Sequence, residues 1–585
     1  MSKSRADSLS SRVAAFDRRF FTGREQFTAI GRGSLGGKAH GLERIREILD
    51  TKIGAQLRPK IEVAIPTLTV ITTEFFDLFM SQNHLQEIAL SEQRDDQIAS
   101  AFQKAELPAQ LVGDLRALIA QVHTPLAVRS SSLLEDAMFE PFASVYATKM
   151  IPNNQLDTDS RFRKLVEAIK FIYASTFFRD AKNYIQATRH RTADEKMAVI
   201  IQEIVGVRHG EHFYPHISGV ARSYNFYPLG LAKPADGVID LALGLGKTIV
   251  DDGISWSFSP AYPQANPPYN TLDDLLSQAQ REFWAVNMGP PPEYNPIKET
   301  EYLTKLSLAT AEEDGILRFM ASTYRAHDDK IVYGIAEPGP RVVDFAPILK
   351  FDLLPLNPLL KSLLRICEDE IERMVEIEFA LTLDERRGVP ARFGFLQVRP
   401  MVVSDDKVEL APGDMSGQKV LIASEAALGN GHIETIRDIV YVKPEKFNVH
   451  HSETIATELE ALNHQLLAQR EDYLLIGFGR WGTSDPQAGI PVKFGQICGA
   501  KVIVESALPD THCLLSQGSH FFHNVTSFRV LYFSVGQWDR DRIDWEWLKK
   551  QPAVQEKEFV RHIRLASPLI VKVDGTAGRG VIIHE

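Results

Sequence analysis

The chain has 585 residues, 44% of them apolar and 24% charged, an ordinary globular balance that allows roughly three or four structural units. A net charge of −11 excludes a general nucleic-acid surface, which needs a concentrated basic face. No apolar run reaches the ~18 residues of a membrane span. Cys367, Cys498 and Cys513 lack the paired spacing of a zinc site or disulfide framework, and the first twenty residues hold no apolar signal region. The sequence therefore predicts a soluble cytoplasmic protein with no nucleic-acid and no membrane partner.

From residue 31 to about 260, helix-like stretches alternate with β-rich runs at 61–72, 125–128 and 197–204, which predicts a mixed α/β domain. Residues 262–294, rich in Pro, Asn and Gln, read as a loop or surface insertion. An amphipathic helix is predicted over 353–374, followed by a hairpin pairing 375–381 with 392–401. Residues 404–417 read as a linker, and 418–585 form a second α/β pattern.

Three segments hold residues suited to chemistry. In the first, Gly31-Arg32-Gly33-Ser34-Leu35-Gly36-Gly37-Lys38, glycines let backbone N–H groups approach phosphate oxygens and the lysine adds a point charge. Ala39 follows the lysine where a Walker A loop requires Ser or Thr. In the second, a β-run ends at Arg129 and is followed by Ser130, Ser131 and Ser132, offering a guanidinium and several donors at a strand's carboxyl end. The third pairs Glu376 and Glu378 with Gln397 and Arg399. Alternate strand residues share a face, so one face would carry two carboxylates, an amide and a guanidinium, suited either to a metal-bound triphosphate or to a solvated cross-strand ion pair.

Taken in chain order, these segments resemble the nucleotide-binding domain of the phosphoenolpyruvate synthase and pyruvate phosphate dikinase family. The resemblance rests on Gly36-Gly37-Lys38, Ile65-Pro66 through Thr72-Thr73, Val128-Arg129-Ser130-Ser131, the run from Ala174 to Arg179, and that from Ala198 to Gln202. It continues through Ser218-Gly219-Val220, Gly244-Leu245-Gly246, Glu376-Ile377-Glu378 and Gln397-Val398-Arg399-Pro400. It implies an ATP-grasp fold of two α+β lobes over residues 20–403, with an insertion at about 262–350; the unmatched α/β pattern of 418–585 then makes a separate domain.

The resemblance also implies ATP and Mg2+ as ligands. Lys38 and Arg129 would contact phosphates, assisted by Arg179. Gln202, Glu203 and Val205 would belong to the adenine hinge. Glu378, with Glu376 and Gln397, would hold magnesium, and Arg399 would stabilise the phosphoryl group in flight. Three departures stand out: Ser144 where the family has glycine, residues 384–388 inserted in the hairpin, and a poor match over 260–358.

The relatives carry a swivelling phosphohistidine domain after the ATP domain, and synthases and dikinases then carry a barrel of about 250 residues, for which this chain has no room. The Gly-Gly-x-Thr-Ser-His signature is not present in its usual form. In its place stand Gly429-Asn430-Gly431-His432, the run from Gly477 through Arg480, Trp481 and Thr483 to Asp485, and the run from Ser516 through Gly518, Ser519 and His520 to Asn524. His520 is a candidate phosphoryl acceptor or a histidine bonded in a packed loop. The expected function is ATP-dependent phosphoryl transfer to a histidine or another acceptor. The alternatives are an ATP-binding sensor without turnover, or one subunit of a split system with a separate protein partner.

Overall fold

The computed structural model describes residues 13–53, 60–135, 145–186, 188, 190–228, 230–251, 253–265, 272, 275–276, 279–383, 389–403, 408–483, 488–507, 519–536, 540–575 and 577–585. Ser144, Cys513, the hairpin insertion at 384–388, residues 404–407 of the 404–417 linker, Ser484, Asp485 and residues 516–518 lie outside them.

The first lobe is built on β1 (Phe27–Ile30), α1 (Gly37–Lys52), β2 (Leu68–Ile71), β3 (Leu126–Ser132), α2 (Arg179–Gln186) and β4 (Met197–Glu203). Its six-stranded sheet runs Ala14–Ala15, β1, β2, β4, β3, Thr148–Ile151, with β4 antiparallel to both neighbours. The apolar run in β4 is buried along almost its whole length, as expected of a central strand covered on both faces. β3 differs from the sequence expectation in running on through all three serines. Those hydroxyls therefore sit inside the ladder and not in a loop beyond it.

The second lobe is built on β5 (Ile217–Arg222), β6 (Val238–Ala242), β7 (Val375–Thr382) and β8 (Ala391–Pro400). Its sheet runs Trp256–Phe258, β6, β5, β7, β8, Ile61–Ala64. The expected hairpin forms, with Glu376 opposite Arg399 and Glu378 opposite Gln397. The stretch read as an insertion is not all loop: Glu282–Asn287 is a strand that pairs with Leu303–Ser307 and His212–Tyr214. Its alternating apolar side chains, Phe283 and Ala285, are buried, and that period was hidden among the surrounding prolines.

The C-terminal part is a parallel sheet of β9 (Asp438–Val442), β10 (Tyr473–Phe478), β11 (Ala500–Ser506) and β12 (Leu531–Val535), extended by antiparallel strands at both edges. The crossover helices α3 (Ser452–Gln469) and α4 (His520–Ser527) join β9 to β10 and β11 to β12. Ile455, Leu459 and Leu462 of α3 and Phe521, Phe522 and Val525 of α4 belong to the same apolar cluster as Tyr184 of α2 and the first lobe's helices. The opposite face of the sheet packs on a separate five-stranded sheet. The helical face thus docks on the N-terminal part, fixed by the Lys493–Asp180 ion pair at 2.6 Å and by the Tyr184 hydroxyl bonded to Asn524 Oδ1 at 3.2 Å.

Candidate functional site

The register of three neighbouring strands places Arg222 of β5 opposite Glu376 of β7, and Glu376 opposite Arg399 of β8. All three side chains are buried. Arg222 donates through Nε to Glu376 Oε2, and Arg399 donates through Nε to Oε1 at 2.6 Å. One step along the strands lies Glu378, which Arg399 also approaches at 3.7 Å. From the first lobe, Arg129 reaches across to the same place. It donates to Gln397 Oε1 at 2.7 Å, to the Leu396 carbonyl at 3.1 Å and to Gln202 Oε1 at 3.2 Å, and stands 3.8 Å from Glu378. Arg129 therefore ties the two lobes together at the floor of the site.

The third contributor is α4. Ser519 caps it, its Oγ accepting from the Phe522 amide at 3.1 Å. A spacing of three puts His520 and His523 on one helical face. His520 Nε2 stands 3.8 Å from Glu378 Oε1, and His523 Nδ1 stands 3.9 Å from Glu376 Oε2. Burial pulls in opposite senses here. It pushes the His523 imidazole well below its ordinary value, with the Arg399 and Arg222 charges adding to the effect, so the ring is neutral. For Glu378 burial favours the acid, but His520, Arg399 and Arg129 outweigh it and hold the carboxyl well below the usual range.

Lys38 lies alongside, at the start of α1, on the other side of β3. Its ammonium donates to Glu135 at 2.6 Å and to the Ser130 hydroxyl at 3.2 Å. The glycine turn before it packs directly on β3. Gly36 has φ 77°, and a Cβ there would lie 1.7 Å from the Ser131 carbonyl oxygen. The three serine hydroxyls turn out to be structural. Ser130 donates to Glu135, Ser131 donates to the Leu35 carbonyl, and Ser132 accepts from the Leu134 and Glu135 amides.

The model of the pyruvate phosphate dikinase AMP/ATP-binding domain matches residues 32–419, about two thirds of the chain. The chain belongs to this family. Membership supports an ATP-binding, phosphotransferase-type role, and the two sheets that meet at Arg129 are the two lobes of an ATP-grasp-like domain followed by a further α/β domain. No curated protein matches the chain. No described helix is long and apolar enough to cross a membrane.

For this family member the structure gathers Arg129, Gln202, Gln397, Glu378, Glu376, Arg399 and His520 into one cluster, whereas Lys38 bonds to Ser130 and Glu135 on the other side of β3. Arg179 stands elsewhere. Its amide is bonded to Asp95 at 2.8 Å and its guanidinium is 3.8 Å from Glu460 of α3, so it faces the C-terminal part and not this cluster. Glu376 is engaged through both oxygens by hydrogen-bonded guanidinia, whereas the cationic groups around Glu378 stand 3.7 to 3.8 Å away. At the expected hinge, the Glu203 amide donates to the Thr67 carbonyl and the Ile204 amide to that of Pro125, both at 2.9 Å. Val205 lies over Gly394 of β8. Arg480 and Trp481 lie near α4, since Gly482 sits where a Cβ would strike the Phe521 ring.

Magnesium takes carboxylate and phosphate oxygens and keeps several waters, so it needs no cage of three protein ligands, and none exists among the described residues. Glu378 fits this role, because its Oε1 is buried with no hydrogen-bond partner. Gln202 Nε2 is likewise buried and undonated, a group suited to a ligand acceptor. Sequence reasoning passed over Arg222 and gave no role to Glu135 or His523, which lie in runs it singled out. Arg222 sits two residues beyond Val220 in an alternating strand, a signal that was available. One of the two readings of His520 puts this segment in a packed loop, where the structure has a helix.

Proposed function

We propose that the chain is an ATP-dependent phosphotransferase that passes a phosphoryl group from Mg·ATP to His520, or onward to an acceptor held by residues 418–585, the second of two units that divide near residues 403–418. The single observation carrying this reading is that His520, borne by the C-terminal part, stands 3.8 Å from Glu378 in the nucleotide domain. A pure nucleotide binder has no need of an imidazole from another unit at that carboxylate.

In this reading Glu378 and Gln397 hold magnesium, which supplies positive charge to the phosphate oxygens. Arg129 binds phosphate while clamping the lobes, and Lys38 exchanges Glu135 for a phosphate oxygen. Arg399 neutralises charge that builds on the phosphoryl group as it moves. The lone pair of His520 Nε2 attacks phosphorus, a nitrogen–phosphorus bond forms, and the bond to the leaving phosphate oxygen breaks with its electron pair. Docking α4 in place turns this attack into a step within one assembly.

The test is incubation with γ- and β-labelled ATP, followed by acid- and base-stability of the labelled protein. Acid-labile, base-stable label on the wild type and none on His520→Ala is the expected result. Tight Mg·ATP binding with neither label nor nucleotide breakdown would favour the sensor reading instead.

A further inference from the structure

Arg222, Glu376 and Arg399 form a straight row across three strands, and no side chain in it touches solvent to any extent: the three are 1, 1 and 2% exposed. Two guanidinia share one carboxylate, one on each oxygen. The row carries two positive charges and one negative, and His523, neutral through burial, adds none. Its surplus of one positive charge lies beside Glu378, where Arg399 stands 3.7 Å away.

We infer that Arg222 is a positioning residue for phosphoryl transfer, acting on Arg399 through Glu376. The inference rests on the proposed function and deepens it. In a low-dielectric interior an unshared carboxylate would draw Arg399 into a full two-pronged pair, the strongest geometry available to that guanidinium. Arg222 occupies Oε2, so Arg399 meets Oε1 alone, through both Nε and Nη2, and the same Nη2 is turned toward Glu378 at 3.7 Å. The C-terminal part seats this row. The Phe522 ring lies 4.9 Å from the Arg222 guanidinium carbon, and His523 stands on Glu376. One helix therefore brings His520 to Glu378 and, three residues on, braces the arginine relay. On the far side of Arg222, burial raises the Asp240 carboxyl, which is also bonded to the Ser257 hydroxyl.

The experiment compares binding of Mg·ADP, or Mg·AMP, with and without aluminium fluoride, a mimic of the phosphoryl group in flight, using calorimetry on the full chain. Circular dichroism melts verify the fold. Wild type should bind tighter when fluoride is present. Arg222→Gln should keep its affinity for the plain nucleotide within about threefold and lose about tenfold or more of the fluoride-dependent gain, the scale of one misplaced charge donor. Arg222→Lys, which keeps the charge without the fork, should lose part of that gain and keep plain-nucleotide affinity. An unaltered gain in either folded variant overturns the inference. So does a loss of plain-nucleotide affinity as large as the loss of the gain, which is what a merely structural arginine would give. If Arg222→Gln does not fold, Arg222→Lys decides by the same two criteria. A wild type with no gain at all overturns the phosphotransferase reading itself, and this inference with it.

Discussion

Lys38 and Glu135 form an ion pair at 2.6 Å, with Glu135 almost fully buried against β3. The pair places the ammonium of the Gly36-Gly37-Lys38 turn on an internal carboxylate, so in the proposed reading a phosphate competes with Glu135 for it. Glu135→Gln should therefore strengthen Mg·ATP binding by a few-fold, because the buried partner that rivals the phosphate loses its charge. Weaker binding by that variant, measured by calorimetry, would show that Glu135 holds Lys38 in its working position.

A second carboxylate, Glu195, faces this pair and responds to pH. Burial, followed by the charge of Glu135, pushes its carboxyl up to about 7 from an ordinary value near 4.5. The folded protein thus holds a proton that the unfolded chain releases. The stabilisation is complete below about 4.5 and is lost as pH rises to about 7, by at most ~3 kcal/mol. Glu195→Gln should remove most of that fall between pH 5 and 8 in urea denaturation. An unchanged fall would place the titration elsewhere.

The two glutamates of β7 should fail in different ways. Glu378→Gln should abolish the magnesium dependence of ATP binding and cost less stability than Glu376→Gln, because its cationic neighbours stand 3.7 to 3.8 Å away and not in direct hydrogen bonds. Glu376→Gln leaves Arg222 and Arg399 facing each other without a shared counter-charge, and should cost about 3–5 kcal/mol of stability. Metal titrations and thermal melts on both variants read the difference, and equal behaviour would refute the division of labour.

Arg399→Ala should lower phosphoryl transfer by about a hundredfold or more while nucleotide affinity changes by only a few-fold, because its charge matters most when the phosphoryl group is moving. A variant as active as wild type would refute that role for Arg399.

Gly36→Ala should destabilise the chain by at least about 2 kcal/mol, because the new Cβ meets the Ser131 backbone oxygen and because φ is positive there. A melt within a degree of wild type would mean that the turn relaxes freely.

Much of the nucleotide domain was legible because its signals are local. Strand period showed Glu376 and Glu378 on one face, and the apolar run 197–204 marked a covered strand; both follow from the two-residue repeat of β structure. The order of Lys38, Arg129, Glu378, Gln397 and Arg399 carried the family. What the sequence could not supply was distance between segments far apart in the chain. Only the packing of α3 and α4 on the first lobe brings His520 to Glu378, and only the β5–β7–β8 register sets Arg222 against Glu376. The same packing sends Arg179 to Glu460 and turns the three serines of β3 inward. Patterning follows from the geometry of one strand or helix, whereas a charge's partner depends on which buried faces meet, and that is decided by the whole core at once.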